Sequence, residues 1–282
     1  MPTVNRYAVS IITAAIIFGL AGVFIKGLET SVVIISSFRT VIPLLILSII
    51  TPALIGQVIQ RPNKKLMAAS LLSAVRIVFW VLGFIYADIS RAVIILFLWP
   101  IFFSVLSHIW LNDRLTTRGL GLLALSFTGI VCVYGAEGFD FHSDNVIGMS
   151  LMLVVAIIHA INITVFKNEL SNTPKREVLF YDNLIGALLF FPAFIYGLFN
   201  LTLPTLSVGI LYGATIGYVG YLLLYYGLSH MKSANASVLC YLEVVSAIMC
   251  GVILFDEVLT LPFMIGAGLI ITSVVLMRRE QT

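Results

Sequence analysis

Two oppositely charged side chains interrupt apolar stretches of this sequence at matching positions. Arg76 and Glu243 each lie ten residues into an apolar run. An ionisable side chain near the centre of a bilayer costs at least about 2.5–3.5 kcal/mol, so it is by default a functional hypothesis. Two interpretations are open: the charges pair as a structural or gating contact, or they stand apart and bind the carboxylate and ammonium groups of a zwitterion. We favour the second, because the aromatic Trp80 lies one helical turn from Arg76.

Aromatic residues accompany these charges. Tyr218, Tyr221 and Tyr225 are spaced i, i+3, i+7 and therefore share one face of a helix. Aromatic rings offer flat apolar surfaces, and the tyrosine hydroxyl adds a polar tip. A stripe of this kind is more often helix packing than a binding surface, and both interpretations are kept. With Trp80 and Trp99, the stripe predicts an aromatic cavity suited to an amphipathic or aromatic substrate.

The sixth apolar run is more polar on one face than its counterpart in the first half of the chain. His159 and Asn162 stand where the first copy has Phe18 and Ala21. A histidine there is a candidate proton carrier in a coupled cycle, although a hydrogen-bonded structural histidine is the commoner finding. The predicted substrate-binding set is Arg76, Trp80, Trp99, His159, Asn162, Tyr218, Tyr221 and Glu243.

Two other charged residues within apolar runs receive structural interpretations. Arg39 lies about seven residues from one end of its run, where a long arginine side chain can reach the interface at little cost. Asp182 lies close to the end of its own run. We expect neither residue to take part in binding.

The composition places these residues in a membrane protein. The chain has 282 residues, of which 60% are hydrophobic and 10% charged, and its mean hydropathy is +1.10. A soluble domain carries roughly 25% charged residues. Each apolar run is long enough to cross a hydrocarbon core of roughly 30 Å as a helix. We predict an all-α integral membrane protein with ten transmembrane helices: 7–25, 32–50, 66–85, 89–111, 117–135, 146–166, 178–199, 206–228, 233–255 and 259–277.

Basic residues are unevenly distributed over the predicted connections. Twelve of the 16 Lys and Arg residues fall at the termini and in the even-numbered connections, whereas the odd-numbered connections hold only Lys26 and Arg91. Because basic connections stay on the cytoplasmic side, we predict a protein of the cytoplasmic (inner) membrane with both termini in the cytoplasm. The opposite side is predicted to gather the acidic residues Glu137, Asp140, Asp144, Asp256 and Glu257.

Two segments recur at about half the chain length. AIIFGLAGVFIK begins at Ala15 and AIIHAINITVFK at Ala156, and LNDRLT at Leu111 resembles FDEVLT at Phe255. Each interval spans five predicted helices, so the two copies must enter the membrane from opposite sides. We therefore predict two inverted five-helix repeats, residues 1–140 and 141–282, which is an architecture of secondary transporters. Chance similarity between apolar segments is the alternative.

No pattern in the sequence indicates an enzyme or a bound cofactor. The sequence lacks an HExxH zinc pair, a GxSxG nucleophile elbow and a GxxxxGK[ST] phosphate loop. The four histidines are scattered, and the three cysteines fall in apolar runs, where a thiol usually acts as a small hydrophobe. We predict no enzymatic activity, no cofactor and no metal. The net charge of +3 is too small to indicate a nucleic-acid partner.

Four stretches carry a resemblance to a known family: FGLAGVFIK, FRTVIPLLIL, WPIFFSVLSHIWLNDRLT and CYLEVVSAIMCGVILFDEVLT. Over the whole chain, the sequence resembles the EamA-type branch of the drug/metabolite transporter superfamily. That family commonly has a Glu-Pro pair in its fourth and ninth helices, and Trp99-Pro100 and Glu243-Val244 each keep one member. The family also commonly has a Gly-Glu pair before its fifth and tenth helices, and this sequence matches that pair only approximately.

The resemblance implies a ten-helix, two-repeat carrier whose cavity is lined by the first, third, fourth, sixth, eighth and ninth helices. Such carriers are usually exporters of amino acids or other small metabolites. We expect a secondary-active exporter that works by alternating access on an amino acid of aromatic or amphipathic character. Open alternatives are uptake, a flippase or carrier for a lipid-linked or other polar head group, and a passive channel. The expected partners are the small-molecule substrate and the lipid bilayer, and the chain is expected as a monomer or a homodimer.

Overall fold

Helices make up the regular structure of the chain wherever it is described. The computed structural model describes residues 6–28, 30–87, 89–135, 143–255 and 260–278. One stretch, Gly213–Gly220, is π-helical. The other helices are Arg6–Gly19, Ala21–Leu28, Val32–Ile50, Ala53–Gln60, Lys64–Tyr86, Ile89–Leu96, Trp99–Leu111, Thr117–Tyr134, Ser143–Glu169, Lys175–Asn200, Leu203–Tyr212, Tyr221–Leu228, Ser233–Cys240, Leu242–Phe255 and Leu261–Arg278.

Within these residues, nine helical stretches are long and apolar enough to cross a membrane. A shorter apolar helix, Leu261–Met277, follows them and corresponds to the tenth predicted span; we call it the C-terminal helix. The nine are numbered spans 1 to 9 in chain order: Arg6–Ile25, Val32–Ile50, Lys64–Tyr86, Arg91–Leu111, Thr117–Tyr134, Val146–Glu169, Lys175–Asn200, Leu203–Leu228 and Ser233–Phe255.

Large apolar side chains cover the outside of the bundle. Phe199 is 83% exposed, Leu203 81% and Ile49 78%. An extensively apolar exposed surface marks a protein–protein or membrane interaction site. Together with the lengths of the spans, it identifies an all-helical integral membrane protein, as the composition predicts.

Short polar side chains in the connections set where several helices begin. Ser31, Asn63, Thr116 and Thr202 each accept a hydrogen bond from a backbone N–H in the first turn of the following helix. These caps satisfy donors that have no partner within the helix. Helices therefore begin directly after polar connections, close to the bounds predicted from the sequence.

Several pairs of helices join the two halves of the chain. Span 2 packs on span 7, span 4 on span 9, and span 5 on the C-terminal helix. In the last pair, the hydroxyls of Ser126 and Ser273 are hydrogen-bonded, and Gly129 lies against the carbonyl oxygen of Gly266. A Cβ at Gly129 would lie 2.6 Å from that oxygen, so the missing side chain is what allows the helices to approach.

These pairs pack antiparallel, because residue numbers rise along one helix as they fall along its partner. Span 5 and the C-terminal helix show this order through the serine and glycine contacts above. The contacts that show it for the other two pairs are Ile34 with Gly197, Thr40 with Gly186, Phe97 with Tyr241, and Ser104 with Ser237.

Spans 1, 3, 6 and 8 complete the bundle and surround its middle. Span 1 packs on spans 8 and 9, and span 6 packs on spans 3 and 4. Span 3 also contacts span 7, and span 2 contacts span 8. The contacts of each half are therefore mirrored by contacts of the other half, and the space between them holds the candidate site.

Candidate functional site

A cavity of about 170 Å³ lies between the halves of the bundle. Its walls come from spans 1, 2, 3, 4, 6, 8 and 9, which are the helices implied by the family resemblance together with span 2. We call it the central cavity. Its charged lining residues are Arg39, Arg76 and Glu243, and its aromatic ones include Trp80, Trp99 and Tyr221.

Span 4 is interrupted where it borders the central cavity. One helix ends at Leu96, and the next begins at Trp99. Pro100 has no backbone N–H, so the Leu96 carbonyl lacks the donor that a continuous helix would supply. Leu96, Phe97 and Trp99 all line the cavity. Irregular backbone at membrane depth is tolerated where it lines a cavity or is buried in protein.

Span 9 is interrupted at the matching place, where its first helix ends at Cys240. The Tyr241 hydroxyl at this break donates to the Phe97 carbonyl of span 4 at 3.1 Å. A side chain from one interruption thus satisfies a backbone group at the other. Cys240 and Glu243, on either side of the break, line the cavity. Facing, discontinuous helices of this kind commonly build transporter substrate sites.

Span 8 adopts its π-helical form beside the cavity. A Cβ at Gly217 would lie 2.6 Å from the Arg39 carbonyl oxygen, so the glycine lets spans 2 and 8 approach closely. This approach brings side chains of the two spans together, and the Arg39 Cζ lies 4.7 Å from the centroid of the Tyr221 ring. The geometry is that of a cation–π contact. π-helical turns frequently occur at functional sites.

Arg39 therefore lines the central cavity, which differs from the place at the membrane interface expected for it. Its distance from the helix end indicates how deep the residue lies, but not the direction in which its side chain points. The side chain turns inward to Tyr221 and does not extend to the interface. The signal in the sequence that could have identified it is the glycine-rich stretch of span 8, which allows close helix contact.

Arg76 and Glu243 both line the cavity, but they do not pair with each other. In the described part of the chain, no ion pair within 4.0 Å joins them. Arg76 is 8% exposed, and its buried Nε has no hydrogen-bond partner there. Both residues lie about midway along their spans, Lys64–Tyr86 and Ser233–Phe255. This conformation leaves both charges facing a space that a ligand can enter.

Asp182 lies behind the cavity wall in a buried hydrogen-bond network. Its carboxylate accepts a hydrogen bond from Ser73 Oγ at 2.8 Å and another from the Tyr225 hydroxyl at 3.0 Å. Asn162 Nδ2 donates to Ser73 Oγ at 3.0 Å. Asp182 is 5% exposed and Asn162 1% exposed. Asn162 thus supports the network and is not among the residues that line the cavity.

The other candidate residues divide between the cavity wall and the packed core. The rings of Trp99 and His159 lie edge to face with centroids 4.7 Å apart, and both line the cavity. Trp80 lines it as well. Tyr218 packs against the main hydrophobic core of the bundle. Six of the eight predicted residues therefore share one cavity, whereas Asn162 and Tyr218 lie outside its lining.

A second group of charges lies at one end of the bundle, which we call the basic end. Lys167 Nζ lies 2.6 Å from Asp113 Oδ2, 2.6 Å from Ser233 Oγ and 2.8 Å from the Met231 carbonyl oxygen. The same Asp113 oxygen accepts hydrogen bonds from the backbone N–H and the hydroxyl of Ser233. These four residues, the basic-end cluster, tie the connection after span 4 to spans 6 and 9.

Hydrogen bonding determines the ionisation of Asp113. Burial by itself would raise its pKa, but hydrogen bonds from Lys167 and Ser233 outweigh burial and hold the pKa below its ordinary value. The side chains of Lys167 and Asp113 are 13% and 15% exposed, so solvent screens the pair only weakly. The carboxylate is therefore charged at neutral pH.

The chain is similar to transporters along nearly all of its length. The EamA-like transporter family matches residues 5–135 and, separately, residues 146–279. Two proteins of Archaeoglobus fulgidus, each named an uncharacterized transporter, are similar to it. One is 27% identical over 72% of this chain and 73% of its own length, and the other is 21% identical over 96% of both chains.

Two further similarities are more distant. An S-adenosylmethionine uptake transporter of Rickettsia conorii is 22% identical over 69% of this chain and 64% of its own length. A solved crystal structure superposes with a TM-score of 0.78 at 14% identity, covering 96% of this chain and 98% of that one, and so shares the fold. The resemblance predicted from the sequence is confirmed by the family match, and the chain belongs to the EamA-like transporter family.

Proposed function

We propose that this protein is a secondary-active transporter that exports a small zwitterion, such as an amino acid of aromatic or amphipathic character, by alternating access. One observation carries the proposal: Arg76 and Glu243 line one cavity at mid-depth without an ion pair between them in the described part of the chain. A zwitterion offers a carboxylate to the guanidinium and an ammonium group to the carboxylate. Its binding would compensate two charges that are costly to leave alone inside a membrane.

The size of the cavity favours a small substrate. Its volume of about 170 Å³ is close to the roughly 150 Å³ of an engineered cavity that binds benzene. It is smaller than the roughly 300–1,000 Å³ of typical drug-sized ligand pockets. Trp80, Trp99 and Tyr221 supply apolar faces for a side chain. A single amino acid therefore fits better than a lipid-linked head group, the alternative left open by the sequence.

The proposed architecture is ten transmembrane helices in two inverted halves, residues 1–140 and 141–282. The antiparallel packing of span 2 on span 7, span 4 on span 9 and span 5 on the C-terminal helix supports it. The separate family matches to residues 5–135 and 146–279 support it as well. Inverted halves allow one half to rock against the other around a site near the bilayer midplane.

The basic end is proposed to face the cytoplasm at the inner membrane, with both termini on that side. The twelve basic residues assigned to this side support the orientation. Cysteines introduced at Lys64 and Thr173 should be protected from an impermeant thiol reagent in intact cells, whereas one at Asp140 should react. The reverse pattern would overturn the orientation. Outside the described residues lie Asp140 and three other acidic residues of the predicted opposite side, Glu137, Asp256 and Glu257.

Uptake of S-adenosylmethionine is a second candidate, because the relative in Rickettsia conorii bears that name. S-adenosylmethionine carries an amino-acid zwitterion and a sulfonium cation, so Arg76 and Glu243 could bind its charged end. The aromatic faces of Trp80 and Trp99 suit its adenine ring. Its adenosine group needs more room than about 170 Å³, and transport would therefore require the cavity to widen.

Counterflow in proteoliposomes tests these candidates. The purified carrier is reconstituted in vesicles loaded with one proteinogenic amino acid or with S-adenosylmethionine, and uptake of the same compound in radiolabelled form is followed. We expect saturable exchange of at least one amino acid, which Arg76→Gln abolishes and which Arg61→Gln, a change at an exposed residue, leaves intact. Exchange of S-adenosylmethionine alone would favour the second candidate. Exchange of none of these compounds would refute both.

A further inference from the structure

Two arginines, and not one, face the central cavity. Arg39 enters from span 2 and Arg76 from span 3, and both line the same space of about 170 Å³. Two guanidinium groups that line one small, shielded cavity repel each other. Among the described residues, the lining contains one carboxyl group, that of Glu243. With all three groups ionised, the wall of the cavity has an excess of positive charge.

No carboxylate of the described residues neutralises either arginine directly. Within that part of the chain, no ion pair shorter than 4.0 Å includes Arg39 or Arg76. Asp182 is not among the residues that line the cavity, and its carboxylate accepts hydrogen bonds from Ser73 and Tyr225. The buried Nε of Arg76 has no hydrogen-bond partner. Arginine forks with unused donors in a shielded site are well suited to an oxyanion.

The surroundings of Arg39 hold it in place for such a role. The Tyr221 ring supports the guanidinium at 4.7 Å, and the same ring packs edge to face on Tyr225 with centroids 6.0 Å apart. Tyr225 in turn donates its hydroxyl hydrogen bond to Asp182. On the backbone side, the close approach of Gly217 fixes the position of span 2. A binding residue is effective when its rotamer is locked by packing of this kind.

We propose that Arg39 and Arg76 together bind one carboxylate of the transported substrate, and that Arg39 makes this carboxylate obligatory. The inference rests on the proposed function and adds a chemical class, since it selects amino acids with a free carboxylate over their amides, esters and decarboxylated amines. A carboxylate between the two guanidinium groups removes their repulsion. The cationic end of the substrate is then left to Glu243.

The test measures how strongly the carrier prefers acids to amides. Full-length, detergent-purified wild type, Arg39→Gln, Arg39→Lys and the exposed control Arg61→Gln are titrated calorimetrically with the proteinogenic amino acids and their carboxamides. We expect the wild type to bind an acid at least about tenfold more tightly than its amide, a difference of about 1.4 kcal/mol. Arg39→Gln should lose most of this preference through weaker binding of the acid. Arg39→Lys should keep part of it, and Arg61→Gln should match the wild type.

A double variant distinguishes a shared carboxylate from two separate effects. If both arginines bind the same group, Arg39→Gln combined with Arg76→Gln should lose little more acid affinity than the worse single variant. Additive losses would overturn the shared site. If Arg39→Gln does not fold, as judged by its melting temperature, Tyr221→Leu replaces it, because loss of the supporting ring should lower the acid preference in the same direction.

The outcomes separate this inference from the proposed function. Binding of amino acids with an unchanged acid-to-amide preference in Arg39→Gln, or in Tyr221→Leu where that variant replaces it, would overturn the role of Arg39 and leave the transporter proposal intact. Binding of no amino acid by the wild type, together with absent counterflow, would overturn both.

Discussion

The central cavity and the basic-end cluster both hold charged side chains away from bulk solvent, but the charges are satisfied in only one of them. In the basic-end cluster, Lys167 and Asp113 pair at 2.6 Å. In the central cavity, Arg76 and Glu243 line one space and do not pair within the described part of the chain. Shielded charges with partners hold one arrangement of helices, whereas shielded charges without partners are costly until a ligand arrives.

The backbone also differs between the two regions: a regular helix follows the turn near the basic-end cluster, whereas the helices around the central cavity are irregular. Near the basic-end cluster, Asn112 turns the chain with a positive φ of 53°, and Thr116 caps the regular helix that follows. Around the central cavity, spans 4 and 9 are interrupted and span 8 is π-helical. A regular helix satisfies its own hydrogen bonds, so irregular backbone is tolerated in a membrane only where a cavity or a side chain supplies partners. The basic end therefore has the features of a structural contact, and the middle of the bundle has those of the proposed binding site.

The largest expected effect is loss of transport when a cavity charge is removed. Arg76→Gln and Glu243→Gln should each lower exchange at least about 100-fold, which corresponds to about 2.8 kcal/mol. Their melting temperatures should stay near that of the wild type, because neither side chain loses an ion-pair partner within the described residues. The measurements are proteoliposome exchange and thermal unfolding in detergent.

The charge-swapped variant, Arg76→Glu with Glu243→Arg, sharpens this prediction. We expect the swap to rescue nothing, because the aromatic walls of the cavity still hold the substrate in its original orientation. Recovery of both stability and transport in the swap would instead identify a structural pair, and it would remove the contrast with the basic-end cluster.

Breaking the basic-end cluster should have the opposite effect, lowering the stability of the folded protein more than it lowers transport. Asp113→Ala removes a carboxylate that accepts several hydrogen bonds and leaves the Lys167 charge alone. We expect a loss of about 2 kcal/mol, the range measured for hydrogen bonds to charged groups. Lys167→Ala should cost a similar amount, and the double variant should recover part of the loss because it leaves no lone charge. Additive melting-temperature losses would contradict the coupling.

A smaller effect is expected from filling the contact between spans 2 and 8. In Gly217→Ala the new methyl group would meet the Arg39 carbonyl oxygen and the Pro43 ring at 2.6 Å. We expect about 1.5 kcal/mol of destabilisation from overpacking, with weaker substrate binding because Arg39 moves. Gly121→Ala is the matched control, since no atom lies within 4 Å of its added Cβ. Equal melting temperatures and affinities in the two variants would show that this contact does not position the site.

The smallest effect concerns pH. The pKa of Asp113 is lowered in the folded protein, so its pairing stabilises the fold fully above the unfolded pKa of about 3.9. The contribution is lost as the pH falls through the lowered folded value. The melting-temperature difference between wild type and Asp113→Ala should therefore be constant from about pH 5 to pH 8 and shrink only below about pH 4. If this melting-temperature difference changed near pH 6 or 7, a group other than Asp113 would be the one that titrates.

Much of the site was predictable because a charge inside a long apolar run is a strong signal. Arg76 and Glu243 stand out in this way, and counting residues along a helix places them at mid-depth. Trp80 followed from helical spacing, and it lines the same cavity. The same reasoning placed Tyr218 in the site, although it lies outside the cavity lining and packs against the core. Spacing shows which residues share a helical face, but not what that face contacts.

The breaks in spans 4 and 9 also differ in how far the sequence predicts them. Pro100 marks the break of span 4 in the sequence, because proline removes a backbone donor. Span 9 has Val244 at the matching position and is interrupted all the same, with its Tyr241 hydroxyl bound to the Phe97 carbonyl. That hydrogen bond joins residues far apart in the chain, so no local pattern predicts it.

Composition and helical rise are local properties, so they were enough to predict the membrane class and the position of each charge along its helix. The quoted motifs are local as well, and they were enough to predict the family. The packing of helices was needed to show that Arg39 joins Arg76 in one cavity, and that Lys167 pairs with Asp113. Both outcomes depend on the direction in which a side chain leaves its helix and on which helix lies opposite. Packing between distant segments sets these two quantities, here through glycines such as Gly217 that let particular helices approach.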